Sequence, residues 1–117
     1  MKKTFLQSKL PPTTLLILAE QYLEWQRGYG FQIRDHQRGL LVSEWIRDTT
    51  FDRHRITLRV SDDPKGAILS AHLNREVFQN QTWNPLPSDG EQESLMLAGI
   101  EKYITESPAA QKALQKR

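Results

Sequence analysis

The sequence contains no cysteine. Disulfides, thiolate nucleophiles and thiolate metal ligands are therefore excluded, while the compartment stays open, because an envelope protein can also lack cysteines. Net charge is nearly absent: 16 basic residues against 14 acidic ones leave +2 over 117 residues. So small an excess sets up no field able to gather a polyanion, and a nucleic-acid role would need a local basic patch. Long apolar runs are missing as well. The longest, residues 14–19, falls far short of the roughly 20 residues that a membrane span requires. Met1-Lys2-Lys3-Thr4-Phe5-Leu6 starts like a secretory signal, but Gln7, Ser8, Lys9 and the Pro11-Pro12 pair interrupt it and no small-residue cleavage site follows. The expectation is a chain with neither signal peptide nor transmembrane span. No Gly-rich phosphate loop, paired-carboxylate motif or nucleophile elbow occurs.

What is present describes an ordinary globular domain. The hydrophobic content of 38% with 26% charged residues argues against disorder, and the length suits one modest core. Residues 1–12 read as a flexible lead, 13–107 as a single α+β domain and 108–117 as a basic, frayed tail. From Thr13 the pattern is helical: Leu15, Leu18, Ala19, Tyr22 and Leu23 share one face, Thr13 or Thr14 can cap it, and Gly28 and Gly30 stop it. Four strand-like runs follow, at 31–36, 40–47, 54–60 and 67–79. The polar segments 35–39 and 61–66 between them suit hairpin turns. Residues 80–87 read as a loop in which Trp83 plugs the lower edge of the core. Ser88 and Glu91 then form a capping box before a helix whose buried stripe is Leu97, Ile100, Tyr103 and Ile104, ended by Ser107-Pro108. One helix, four strands and another helix predict a two-layer, antiparallel four-stranded meander with both helices packed on one face, leaving the other face open.

Histidines, serines, arginines and tryptophans within this frame are the candidates for a site. His36, His54 and His72 are evenly spaced, but alternation puts His36 and His72 on the polar face and His54 with Ile56 and Leu58 on the core face, so no shared metal site is expected. Ser43, Ser70 and Ser88 have no adjacent histidine and acid to activate them, and no catalytic residue or cofactor is expected. The arginines carry more information. Arg53, Arg55 and Arg59 share the outward face of one strand, Arg34 and Arg75 fall on neighbouring strands, and an arginine stripe beside Trp45 would suit stacking and phosphate contacts on a single strand. Residues 31–80 nevertheless hold eight Lys/Arg and seven Asp/Glu, so cross-strand pairing competes and nucleic acid is the less favoured partner. Exposed ion pairs contribute about 0–1 kcal/mol, so removal of Arg55 and Arg59 should hardly affect stability. Trp25 reads as core or rim. Trp45 stays ambiguous, because Leu40, Val42 and Ile46 occupy one face of its strand while Leu41, Ser43 and Trp45 occupy the other. A strand apolar on both faces indicates an open face partly covered by a partner. The binding candidates are thus Trp45, Arg53, Arg55 and Arg59.

The order of features also resembles a known family. A helix ends in Gly28-Tyr29-Gly30-Phe31-Gln32-Ile33, followed by Arg38-Gly39-Leu40-Leu41-Val42-Ser43-Glu44-Trp45. Then come Arg53-His54-Arg55-Ile56-Thr57-Leu58-Arg59-Val60, the Trp83 loop and an acidic-start helix over 91–104. Over roughly residues 13–105 this is similar to the repeated domain of the NlpB/DapX (BamC-like) lipoproteins of outer-membrane β-barrel assembly. The resemblance implies a helix-grip fold, in which a curved antiparallel sheet grips a helix. It also implies a non-catalytic accessory role in the bacterial envelope, at the periplasm or outer-membrane periphery, through protein–protein contacts. Those lipoproteins carry a lipid-anchored cysteine after a signal sequence, and this sequence has neither. The reading is a protein-binding or scaffold domain. The alternatives are a nucleic-acid-binding module on the arginine stripe and a small apolar ligand held between sheet and helix.

Overall fold

The computed structural model describes residues 4–106, and the basic tail 108–117 with its Ser107-Pro108 stop lies outside them. In chain order the elements are β1 Leu6–Ser8, α1 Pro12–Gln21, a π-helical turn Tyr22–Gln26, β2 Phe31–Asp35, β3 Leu40–Ser43, β4 Ile46–Arg47, β5 Asp52–Asp63, β6 Gly66–Gln79, β7 Thr82–Leu86 and α2 Gly90–Glu106. The architecture is α+β, with one antiparallel sheet of seven strands and two helices.

The spine of the sheet is the hairpin of β5 and β6, paired without interruption from Asp52↔Val77 to Asp63↔Gly66. Its turn follows from local chemistry: the Asp63 carboxylate accepts the Lys65 N–H at 3.1 Å, and Gly66 sits at φ +143°, open only to glycine. Every other strand attaches to this ladder. On one side, β3 pairs with the middle of β5, β4 with its start, and β2 with β3. On the other, β1 pairs with the start of β6 and β7 with its end. Strand alternation sends Ile56 and Leu58 of β5, with Leu69 and Leu73 of β6, to one face. There they join Leu15, Leu16 and Leu23, and Met96, Leu97 and Ile100 of α2, in a single buried cluster.

Several sequence expectations need correction. The sheet has seven strands instead of four, because β1 and β7 add to β6 and the expected strand 40–47 is split into β3 and β4. Residues 1–12 are not a free lead throughout: Leu6 pairs with Leu69, and both Leu6 and Leu10 are buried. Full burial of a leucine stabilises by roughly 1.5–3 kcal/mol, enough to fix so short a strand. Residues 80–87 are largely a strand, not a loop. Asn80 and Gln81 both adopt positive φ (53° and 63°), the backbone of a two-residue hairpin turn that brings Trp83 opposite Phe78. α1 starts at Pro12 after Pro11, with no side-chain cap, so neither threonine serves. In α2 the cap is Asp89 and not Ser88, since Asp89 Oδ1 accepts the Glu91 and Gln92 N–H groups at 3.1 and 3.2 Å. Gly28 does end the first helical segment, at φ +77° with the Tyr29 N–H on the Leu23 carbonyl at 2.9 Å.

The expected strand 40–47 is broken, and the break matters for the site. Val42 opposes Thr57 while Ile46 opposes His54, so three intervening residues on one side face two on the other. This is a one-residue bulge. At the bulge the Ser43 hydroxyl substitutes for a backbone acceptor and takes the Ile56 N–H at 2.9 Å. Ser43 is fully buried and donates its own proton to the Glu44 carbonyl at 3.0 Å. Past the bulge the parity is reversed: Ile46 faces the core and Trp45 faces away.

The β6 turn gives the first test. A side chain at Gly66 would collide with the Ser8 carbonyl and the Lys9 backbone, whereas the space around Gly28 is empty. Gly28→Ala should cost roughly 1 kcal/mol from its left-handed φ alone, and Gly66→Ala roughly 2–3 kcal/mol through strain and displacement of β1. Urea unfolding of both variants measures the difference; equal losses would mean that β1 contributes nothing there.

Candidate functional site

Two adjacent regions at one end of the β5–β6 hairpin collect the polar and aromatic side chains. They lie back to back on opposite faces of the sheet. Arg53 and His54 are successive residues of β5, Arg75 and Glu76 of β6, and Ile46 and Arg47 of β4, so each strand feeds one residue to each face.

The outward face carries a strip of stacked arginines and indoles. The Arg53 guanidinium carbon lies 4.1 Å from the centroid of Trp45 and 4.2 Å from that of Trp83. Arg55 lies over Trp45 at 4.6 Å, Arg47 over Trp83 at 5.4 Å, and Phe78 packs against Trp83 at 5.3 Å. Arg53 Nε also donates to Glu76 Oε1 at 2.8 Å, with Nη2 on the same oxygen. Both partners are about one-fifth exposed (23% and 22%), so this cation is fixed by two rings and one carboxylate. The Arg55 Nε is buried and has no hydrogen-bond partner among the described residues. No described helix covers this face. Exposed Ile33 extends its apolar surface toward β2.

The helix face carries a cleft of about 400 Å³ where the chain after the π turn, β4–β6 and the start of α2 meet. A hydrogen-bond chain crosses it. Asp48 Oδ2 bonds His54 Nδ1 at 2.8 Å, and His54 Nε2 bonds the Tyr29 hydroxyl at 2.8 Å. With Asp48 as an acceptor only, the neutral ring carries its proton on Nδ1, and Tyr29 donates to Nε2. Burial holds the Tyr29 phenol above its usual pKa; the Asp48 and Tyr22 charges act in the same direction and the Arg27 charge opposes it. Ile46, Leu73 and Met96 supply an apolar wall, and Arg27 and Arg75 line the same space.

Of the four sequence candidates, the structure brings Trp45, Arg53 and Arg55 together and leaves Arg59 apart, exposed opposite Ser70. Arg34 and Arg75 do lie on other strands, but on the helix face. Arg34 bonds Glu20 of α1 at 3.0 Å and Glu24 at 3.2 Å. His36 also reaches Glu20, at 3.0 Å, so it faces the helix and not the polar side. His72 contacts Glu93 at 3.3 Å. His54 sits on the core face as its parity requires. Trp83 is corrected from core plug to outer strip, because Phe78↔Trp83 pairing puts it on the Glu76 side of β6. Trp25 is corrected to 65% exposed. Among the described residues no group of three or more His, Asp or Glu is placed to hold a metal ion, and no helix is long and apolar enough to cross a membrane. Sequence reasoning missed Tyr29, Asp48, Arg27 and Arg75 as neighbours of His54. The one signal available was the tyrosine between two glycines at a helix end.

Three variants test this geometry. Arg53→Ala should cost about 2–3 kcal/mol in chemical unfolding, since it strips a half-buried carboxylate of its partner and two rings of their cation. Arg59→Ala should stay within about 0.5 kcal/mol. Because the folded state keeps Tyr29 protonated above the usual pKa near 10, the unfolded chain releases that proton first, and stability is full below pH ~10 and falls as pH rises toward the folded value. Tyr29→Phe should flatten that fall in unfolding measured between pH 8 and 11 (a window of about three units); an unchanged slope would mean Tyr29 is not the group.

No protein-family model matches this sequence, and comparison with curated proteins finds no relative.

Proposed function

We propose that the chain is a non-catalytic protein-binding domain that docks a partner on the outward face of its sheet. The observation that carries this is the strip Phe78–Trp83–Arg53–Trp45–Arg55, left uncovered by either helix. Tryptophan and arginine dominate the energetics of protein interfaces, and here their rotamers are fixed before any partner arrives. Glu76 neutralises Arg53, while Arg47, Arg55 and Arg59 leave the face with a cationic excess. A complementary partner therefore presents apolar side chains flanked by carboxylates.

The same details favour protein over single-stranded nucleic acid. A base needs a free aromatic face, and the indoles already have guanidinium groups stacked on them. Binding is also favoured over catalysis, because the Asp48–His54–Tyr29 chain ends on a phenol held neutral, a poor nucleophile at neutral pH. The resemblance to the NlpB/DapX lipoproteins supports a helix-grip reading of the fold and a partner in a bacterial envelope complex of the outer-membrane assembly type.

Photo-cross-linking from position 78 on the strip and from position 95 on exposed Leu95 of α2, in solubilised envelope and in cytosol, tests this reading. Envelope proteins should be captured from position 78 alone, with Trp45→Ala/Trp83→Ala reducing capture about tenfold or more. Capture only of nucleic-acid-associated proteins, lost on nuclease treatment and in high salt, would overturn it.

A further inference from the structure

The cleft behind the strip has an imbalance of hydrogen-bonding groups that its own walls do not resolve. One oxygen of each of its carboxylates is engaged: Asp48 Oδ2 holds the His54 ring, and Asp89 Oδ1 takes two N–H groups at the start of α2. Its strongest donors are not. Arg75 makes no ion pair or hydrogen bond among the described residues, and Arg27 has only a 3.5 Å contact with the Tyr22 hydroxyl. Two guanidinium forks thus open onto the same cleft without a carboxylate partner; Arg75 is half-buried, where an unmatched fork is costly, and Arg27 is exposed at the rim.

The remaining walls decide what else the occupant carries. Ile46, Leu73 and Met96 form the apolar part of the same lining, with Leu73 two residues from Arg75 on one face of β6. A ligand that satisfies both must be amphiphilic, with an anionic head and a short apolar body. The charge of the head is bounded too. Asp48 and Asp89 line the same cleft, so a dianion would meet two fixed carboxylates at close range, whereas a single negative charge shared by two arginines is stabilised. Planar, bidentate acceptance of N–H donors is the geometry of a carboxylate. The volume of about 400 Å³ lies within the range of small-molecule sites.

We propose that this cleft binds a small amphiphilic monocarboxylate, its carboxylate held by Arg27 and Arg75 and its apolar chain laid on Ile46, Leu73 and Met96. The hydrogen-bond chain from Asp48 through His54 to Tyr29 serves as the polar floor, fixing one tautomer and keeping the phenol in place beside the head group. This site uses the helix face alone and stands whether or not the strip on the other face docks a protein.

Hexanoate is a suitable probe, with 1-hexanol as its uncharged counterpart and inorganic phosphate as the anion without a chain. In a titration of the isotope-labelled full chain followed by amide NMR, hexanoate should produce saturable shifts at Tyr29, Ile46, Leu73 and Met96. Hexanol should bind at least about tenfold more weakly, and Arg75→Gln and Arg27→Gln should each weaken hexanoate by about tenfold. Arg27 is exposed, so its variant keeps the fold and remains informative if Arg75→Gln disturbs the sheet. Phosphate should fail to displace hexanoate. Absence of saturable shifts, equal affinity for hexanol, displacement by phosphate, or full affinity in folded Arg27→Gln would each overturn the proposal.

Discussion

One extra residue between Val42 and Ile46 sets the arrangement on which both surfaces depend. Were the same residues paired without the bulge, alternation along a continuous strand would send Trp45 into the core face beside Leu41 and Ser43, and Ile46 outward. The bulge is maintained by the buried Ser43 hydroxyl, which receives the Ile56 N–H where the backbone ladder is interrupted. An amide buried without such an acceptor costs about 1–3 kcal/mol, so the hydroxyl is what makes the irregularity tolerable. From that local compensation follow the stacking of Trp45 on Arg53 and Arg55 and the placement of Ile46 in the cleft wall.

Charge is handled differently in the interior and on the two surfaces. Glu20, nearly buried in α1, is matched by Arg34 and His36, so its carboxylate is satisfied from β2 and the turn that follows. Glu93 bonds the Leu73 N–H at 2.7 Å, on the stretch of β6 that neither β1 nor β7 covers. Each buried acid thus has a structural task. The cations are distributed otherwise: Arg53 is paired and stacked, Arg55 is stacked with one orphaned nitrogen, and Arg75 is left open to the cleft. A near-zero net charge conceals this local segregation of paired and unpaired arginines.

Periodicity made the long elements legible. The strands at 31–35, 52–63 and 66–79 and both helices follow from alternation or a helical stripe, and the core-face parity of His54 followed from the same rule. Short elements were not legible, because three residues at β1 and a proline-containing β7 show no period of their own and are held by pairing with β6. Faces failed wherever a bulge or bend reset the parity, as at Trp45, or where the segment was read as a loop, as at Trp83. The stripe of Arg53 and Arg55 was visible, but its stacking was not, since the indoles arrive from strands on either side of β5. The cleft was invisible for a related reason: Arg27, Tyr29, Asp48, His54 and Arg75 are scattered over nearly fifty positions and meet only through tertiary packing.

The alternation that puts Arg53 and His54 back to back also restricts how such a domain can change over time. Substitutions can retune either surface separately, because neighbouring positions answer to different faces. Insertions and deletions cannot. Losing one residue from the regularly paired stretch of β5 between Arg53 and Leu58 would move the side chains on one side of the gap to the opposite face, turning cleft residues outward and strip residues inward in a single step. The lineage of this fold should therefore keep the length of that segment fixed even while its composition drifts, and spacing rather than identity would be the feature by which distant members are recognised.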